Sequence, residues 1–187
     1  MGDRRPRVTG RVAVPAEWGI EARMARLEEI VQDAVFFGVV RDCVDQLARK
    51  AREGRRAGEL EELVYADAAL AAVHRLCPYR RDPAGEDWHQ DTATTLEKGG
   101  DCEDLATTLA AFLRLGAYFY GLKLKVRLVW MRREGGQDHV AVQVLVGDGH
   151  DTGDDPDGGW EWLEPSIVGA RRGEHPEAAA QRLGVMR

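Results

Sequence analysis

The chain has 187 residues, a formal net charge of −6 and 44% hydrophobic residues. That length bounds it to one domain, or one domain with an extension, with enough apolar residues for a core. The negative balance excludes a general nucleic-acid binder, and the longest apolar run, Val35 to Val40, is too short to span a bilayer. Three widely spaced cysteines, Cys43, Cys77 and Cys102, do not suggest a disulfide framework. With a polar, arginine-rich start that lacks an apolar leader, they point to a reducing, cytoplasmic setting.

Arg4, Arg5, Arg7 and Arg11 form a basic arm that reads as a solvated terminus. Val8, Val12 and Val14 alternate with polar residues, which predicts a short strand or extended arm ended by Pro15. Three helices follow. Ile20, Met24, Leu27 and Val31 give a stripe over residues 16–34. Val40, Val44 and Leu47 face one side of a helix over 35–52 that Gly54 ends. Leu63, Leu70 and Val73 belong to a third helix over 59–76, stopped by Pro78, with Cys77 as a small core residue at its end. Residues 78–91 read as a loop anchored by Tyr79 and Trp88, and 92–98 as a short helix or turn.

The chain is organised around Gly99-Gly100-Asp101-Cys102-Glu103-Asp104-Leu105-Ala106. Two glycines break the chain, and an apolar run to Leu115, stopped by Gly116, predicts a helix with Cys102 in its first turn. Asp101 is a natural N-cap. The helix dipole places partial positive charge at that end, so a thiol there is expected to ionise more easily and to stay clear of the core. After Gly116 the period changes to two. Residues 122–131 and 139–146 form an antiparallel hairpin, and 160–163 return to the sheet. A Gly- and Asp-rich loop over 147–159 separates them, and the tail carries a weak helical pattern over 177–183. Helices first and an antiparallel sheet afterwards make the class α+β.

Thiol-dependent acyl transfer needs a thiolate beside a histidine, a group that orients the imidazole, and donors for the oxyanion. Cys102 at a helix start, His139 opening a strand and Glu164 closing the next one would deliver the first three groups to one sheet edge. Among other candidates, His74-x-x-Cys77 has metal-ligand spacing but no second pair to close a tetrahedral site. His89, His150 and His175 read as ordinary surface residues. The acidic loop 148–157 offers oxygen ligands without the spacing of an EF-hand, and reads as solvated.

The Gly-Asp-Cys-Glu-Asp segment, followed by His139-Val140 and by Trp160-Glu161-Trp162-Leu163-Glu164-Pro165, resembles the transglutaminase-like superfamily, in its bacterial and phage-associated cysteine peptidase-like branch. The approach with Trp88, Gln90 and Leu96 is similar as well, so the likeness covers about residues 79–165. The segments Met24-Ala25-Arg26-Leu27 and Val40-Arg41-Asp42 are more loosely similar to the N-terminal part of the phage-associated members.

The resemblance implies a papain-like core in which the cysteine-bearing helix packs on an antiparallel sheet. It divides the chain into an N-terminal arm and helical region (1–78), a transglutaminase-like core (79–170) and a C-terminal tail (171–187), expected to form one compact unit. It implies Cys102 as nucleophile, His139 as general base and Glu164 as the orienting acid, where the family usually has aspartate. The glutamate is one methylene longer, so its hydrogen bond must be re-aimed. Gln90 becomes a candidate oxyanion donor and Trp88 a candidate wall of the acyl pocket.

No cofactor is required, although Asp101 and Glu103 match two carboxylates that help bind calcium in related adhesin-processing proteases. The same two residues also read as helix cap and dipole complement. The expected function is a thiol hydrolase or acyl transferase on peptide or isopeptide bonds, a cysteine protease first of all, with a protein or peptide substrate and no nucleic-acid or membrane partner. The alternative is a non-catalytic structural or accessory component of a phage or prophage particle on the same fold. Substrate specificity is expected in loops 80–91, 132–138 and 147–159.

Overall fold

The computed structural model describes residues 9–132, 138–147 and 159–185. The basic residues Arg4, Arg5 and Arg7 and the acidic loop 148–157 lie outside them, as do most of loops 132–138 and 147–159. The architecture is α+β. β1 (Arg11–Ala13) precedes three helices, α1 (Ile20–Asp33), α2 (Gly38–Gly54) and α3 (Glu61–Leu76). A 3-10 turn over Ala34–Phe36 and an extended Phe37 separate α1 from α2, so α2 begins later than the apolar run suggests. Then come β2 (Trp88–Gln90), α4 (Thr92–Lys98), α5 (Cys102–Tyr120), β3 (Leu124–Arg132), β4 (Asp138–Val146), β5 (Glu161–Leu163) and α6 (Pro176–Leu183).

The larger sheet has the order β3-β4-β5, antiparallel throughout, with β4 in the centre. Leu124, Val126, Leu128 and Trp130 on β3 stand opposite Val146, Val144, Val142 and Val140 on β4. This face joins Leu163 and the helices in one apolar core. His139, Ala141, Gln143 and Leu145 occupy the other face of β4, as side-chain alternation requires. Trp162 pairs with Gln143 and Leu163 with Val142, which brings Glu164 to the His139 end of the central strand.

α5 is the axis of the molecule. Its buried residues run from Cys102 through Leu113 without a break, because helices pack on one side of it and the sheet on the other. A helix apolar all round is a buried helix. The expected stop at Gly116 does not occur: α5 continues through it to Tyr120. Gly116 is a packing glycine. A Cβ there would sit 2.4 Å from the ring of Tyr65 on α3. The Tyr65 ring is fully buried, and its hydroxyl donates to the Phe112 carbonyl at 2.9 Å. At the sheet side, Arg114 ties α5 to Glu28 on α1 and donates to the Val126 carbonyl at 3.1 Å.

The expected loop 78–91 is the second departure. Its end is β2, which pairs antiparallel with β1 in the register Arg11 to Gln90, Val12 to His89 and Ala13 to Trp88. Three residues are too few to show a period, and only the distant β1 gives them a partner. Among the described residues no helix is long and apolar enough to cross a membrane.

The Tyr65–Gly116 contact predicts an inversion of the usual glycine-to-alanine effect. Replacing a mid-helix glycine by alanine stabilises by about 1 kcal/mol where space allows. Gly116→Ala should instead destabilise by about 1–3 kcal/mol, the usual cost of overpacking. In a Tyr65→Ala background it should become neutral or stabilising. Urea denaturation of the four proteins checks this, and a stabilising Gly116→Ala in the native background would refute the close-packing account.

Candidate active site

The turn before Cys102 is held by backbone. Gly99 has φ +77°, and a Cβ there would lie 2.1 Å from the Pro78 carbonyl oxygen. Gly100 donates to Pro78 O at 3.3 Å and accepts from Arg80 N at 2.8 Å, and a Cβ on Gly100 would collide with Asp104. Tyr79 and Gly100 form an isolated parallel bridge. The two glycines therefore let the chain thread between 78–80 and the first turn of α5. Asp101 caps that turn, its carboxylate accepting from Asp104 N, as expected of an N-cap.

The next turn of the network is buried polar chemistry. Asp104, 1% exposed, accepts from Gln90 N at 2.9 Å and from the Gln90 side-chain amide at 2.5 Å. The same amide donates to Gly99 O at 3.1 Å. Both donor hydrogens of Gln90 are thereby spent inside the protein. This corrects the expectation that Gln90 supplies an oxyanion donor: it is a buried brace between β2 and α5. Trp88 is not a wall of the cleft at Cys102 either. Its indole donates to Glu86 at 2.7 Å, and the Arg11 guanidinium lies 5.3 Å from its ring centroid.

Glu164 is fully buried and accepts from His139 Nε2 at 2.6 Å. Its other oxygen accepts from Ser166 N at 2.8 Å and from the Ser166 hydroxyl at 2.6 Å. Burial alone pushes the Glu164 carboxyl up. The imidazole and the two Ser166 donors outweigh it, and the group lies below its ordinary 4.5. A carboxylate only accepts, so Nε2 carries the hydrogen and Nδ1 is left as the acceptor nitrogen. The longer glutamate reaches the ring because Ser166, two residues on, fixes its second oxygen. Ser166 was not singled out in the sequence. His74, on α3, binds the Glu164 carbonyl through Nε2 at 3.0 Å, which gives it a structural partner.

Cys102 lies at the start of α5, 8% exposed. Its thiol donates to Glu103 Oε2 at 3.1 Å, and the backbone N–H of Val140, the residue after His139, acts on it electrostatically from β4. The expected easy ionisation is reversed. Burial pushes the thiol well above its ordinary 9.0, the charges of Glu103 and Asp101 and the bond to Glu103 push it further, and the Val140 N–H offsets this in part. Partial charge at a helix end is a small effect beside desolvation next to two carboxylates. Burial together with Glu103 and Asp104 likewise raises the Asp101 carboxyl. Burial raises Asp104 against the two Gln90 hydrogen bonds.

An open cleft of about 300 Å³ lies against Cys102, walled by Tyr79, Asp82, Asp87, Asp101, Glu103 and Trp130 among others. The indole N–H of Trp130 is buried without a hydrogen-bond partner. The Tyr79 hydroxyl is pushed up by burial and by the nearby Cys102. His89 departs from its expected place on the surface: it is 1% exposed, and neither ring nitrogen has a hydrogen-bond partner. One ligand atom from each of Asp87, His89 and Glu103 lies within 4.8 Å of the others. Asp101, one of the two carboxylates expected to bind calcium, is not in this group. The Asp-x-His spacing ahead of Gln90 was the available signal, since residues two apart in an extended segment share a side.

Comparison with family models, with curated proteins and with solved structures finds no match to this chain.

The lowered Glu164 carboxyl predicts a definite pH dependence. Its contribution to stability is fully present above about pH 4.5, the ordinary value of the group, and is lost as pH falls through its lowered folded value. Glu164→Gln should cost about 1.5–3 kcal/mol at pH 7, the range for a hydrogen bond to a charged group. The deficit should shrink as pH drops below 4.5. Thermal or urea denaturation from pH 7 to 3 reads it, and a deficit that is constant or grows on acidification would contradict the assignment.

Proposed function

We propose that the protein is a thiol-dependent hydrolase or acyl transferase acting on peptide or isopeptide amide bonds, with a papain-like, transglutaminase-like core. The observation that carries this reading is the fully buried Glu164 carboxylate holding Nε2 of His139, whose strand neighbour Val140 is close enough to Cys102 to influence its thiol. A core histidine used only for packing has no need of a dedicated, fully buried carboxylate. The resemblance of the Cys102, His139 and Glu164 segments to the transglutaminase-like superfamily points the same way.

In this mechanism His139 Nδ1 takes the Cys102 thiol proton as the sulfur attacks the substrate carbonyl carbon. The backbone N–H groups at the open start of α5 and the unspent Trp130 indole are the donors for the oxyanion. His139 returns the proton to the leaving amine, and a thioester on Cys102 remains. Water attacking the thioester completes proteolysis or deamidation, and an amine completes transamidation. Glu164 keeps the imidazole in one tautomer and stabilises its charged form. Carboxylates dominate the described walls of the cleft, where Asp82, Glu86, Asp87 and Asp138 outnumber Arg23 and Arg81. That balance favours a basic peptide or protein segment over an acidic one.

One observation favours a second reading, a non-catalytic component of a phage-like particle on the same scaffold. The resting thiol is buried and donates to the Glu103 carboxylate. Iodoacetamide labelling of the native chain, read by mass spectrometry, separates the two. A working base predicts faster labelling at Cys102 than at Cys43 or Cys77, and a rate lowered at least ~100-fold by His139→Ala, the low end of general-base effects. Labelling of Cys102 only in denaturant, or at a rate that His139→Ala does not change, would leave the structural reading.

A further inference from the structure

Asp87, His89 and Glu103 form a group that the acyl-transfer mechanism does not use. We propose that these three side chains bind a divalent transition-metal ion of the zinc class, through one imidazole nitrogen and two carboxylates, with at least one coordination position left open. Each offers a ligand atom within 4.8 Å of the other two, a spacing that one ion can bridge. The residue that decides the matter is His89. It is 1% exposed, and both its ring nitrogens are buried without a partner. Buried polar groups are almost always paired, so an orphaned imidazole between two carboxylates is a donor awaiting a ligand.

The backbone fixes the group. His89 sits on β2 in register with Val12, the Asp87 carbonyl accepts from Val14 N at 2.8 Å, and Glu103 lies in the first turn of α5. The brace from Gln90 to Asp104 locks β2 to α5 one residue from each of His89 and Glu103. Asp87 and Glu103 reach the cleft wall, which gives an ion a route in, while His89 lies behind them. Arg23 pairs with one oxygen of Asp87 and leaves the second.

Ligand chemistry selects the ion. Calcium and magnesium prefer oxygen donors alone, whereas an imidazole with carboxylates suits zinc and its neighbours. Three protein ligands with an open position are the pattern of a site that also takes water or substrate. Glu103 is shared: it accepts from the Cys102 thiol, so an ion on its carboxylate competes for the oxygen that the thiol uses.

The test is titration of the EDTA-stripped full chain with Zn²⁺ by calorimetry and with Co²⁺ by visible absorption. One ion per chain is expected in the native protein and in Cys102→Ala. His89→Gln and Glu103→Gln should weaken binding at least ~10-fold and abolish the Co²⁺ visible bands, with Asp87→Asn as a third variant at the open edge of the group. Circular dichroism confirms that each variant is folded. Zn²⁺ binding absent up to millimolar concentration, unchanged in His89→Gln and Glu103→Gln, lost in Cys102→Ala, or weaker than Ca²⁺ binding would overturn the proposal. None of these readouts depends on catalysis, so failure here leaves the acyl-transfer reading standing, and failure there leaves this one.

Discussion

The candidate site depends on one buried carboxylate. Asp104, in the first turn of α5, receives both the backbone N–H and the side-chain amide of Gln90. Two hydrogen bonds from one residue to one carboxylate fix distance and orientation together, and in a low-dielectric setting each is worth more than at the surface. They dock β2 against the helix start. From that docking follow the position of His89 beside Glu103, the closure of the 99–100 turn through Gly99 O, and the wall of the cleft that begins at Asp82. The cost is visible in the same place. Burial raises Asp104 even against the bonds from Gln90, and Asp101 next to it is raised further by its neighbours. The local rule that favours acids at a helix start meets a buried environment that disfavours charge, and at Cys102 the environment wins.

Much of the fold was legible because its elements obey strong periods. The helical stripes of α1 to α3, the alternation of valines on β4 and the Asp101 cap each follow from spacing and one local interaction. What was not legible depends on partners far along the chain. β2 exists because residues 11–13 lie beside it, and nothing within Trp88-His89-Gln90 announces that. Gly116 looked like a stop because glycine is a poor helix former. A tyrosine ring 51 residues earlier (116 − 65) turns it into a contact surface.

The site divides along the same line. Cys102, His139 and Glu164 stand out by residue type and by their place at element ends, and the structure joins Glu164 to His139 directly. Gln90 had the right chemistry but the wrong neighbours, since both its donors are consumed by Asp104 and Gly99. His89 had polar neighbours in sequence, yet it is buried with no hydrogen-bond partner on either ring nitrogen. Sequence proximity to charge is a poor guide to solvation when the segment is pulled inward by a strand pairing that its own residues do not specify.

The ring of Tyr65 and the bare Cα of Gly116 fit as lock and keyhole at the crossing of α3 and α5. Residue size at these two positions is therefore a single quantity split between two helices. Distant kin of this chain should conserve the sum and not the residues: a bulkier side chain at 116 will travel with a smaller one at 65. Such a compensated pair, lying away from the reactive groups, is a marker of common descent that convergent chemistry around a cysteine cannot imitate.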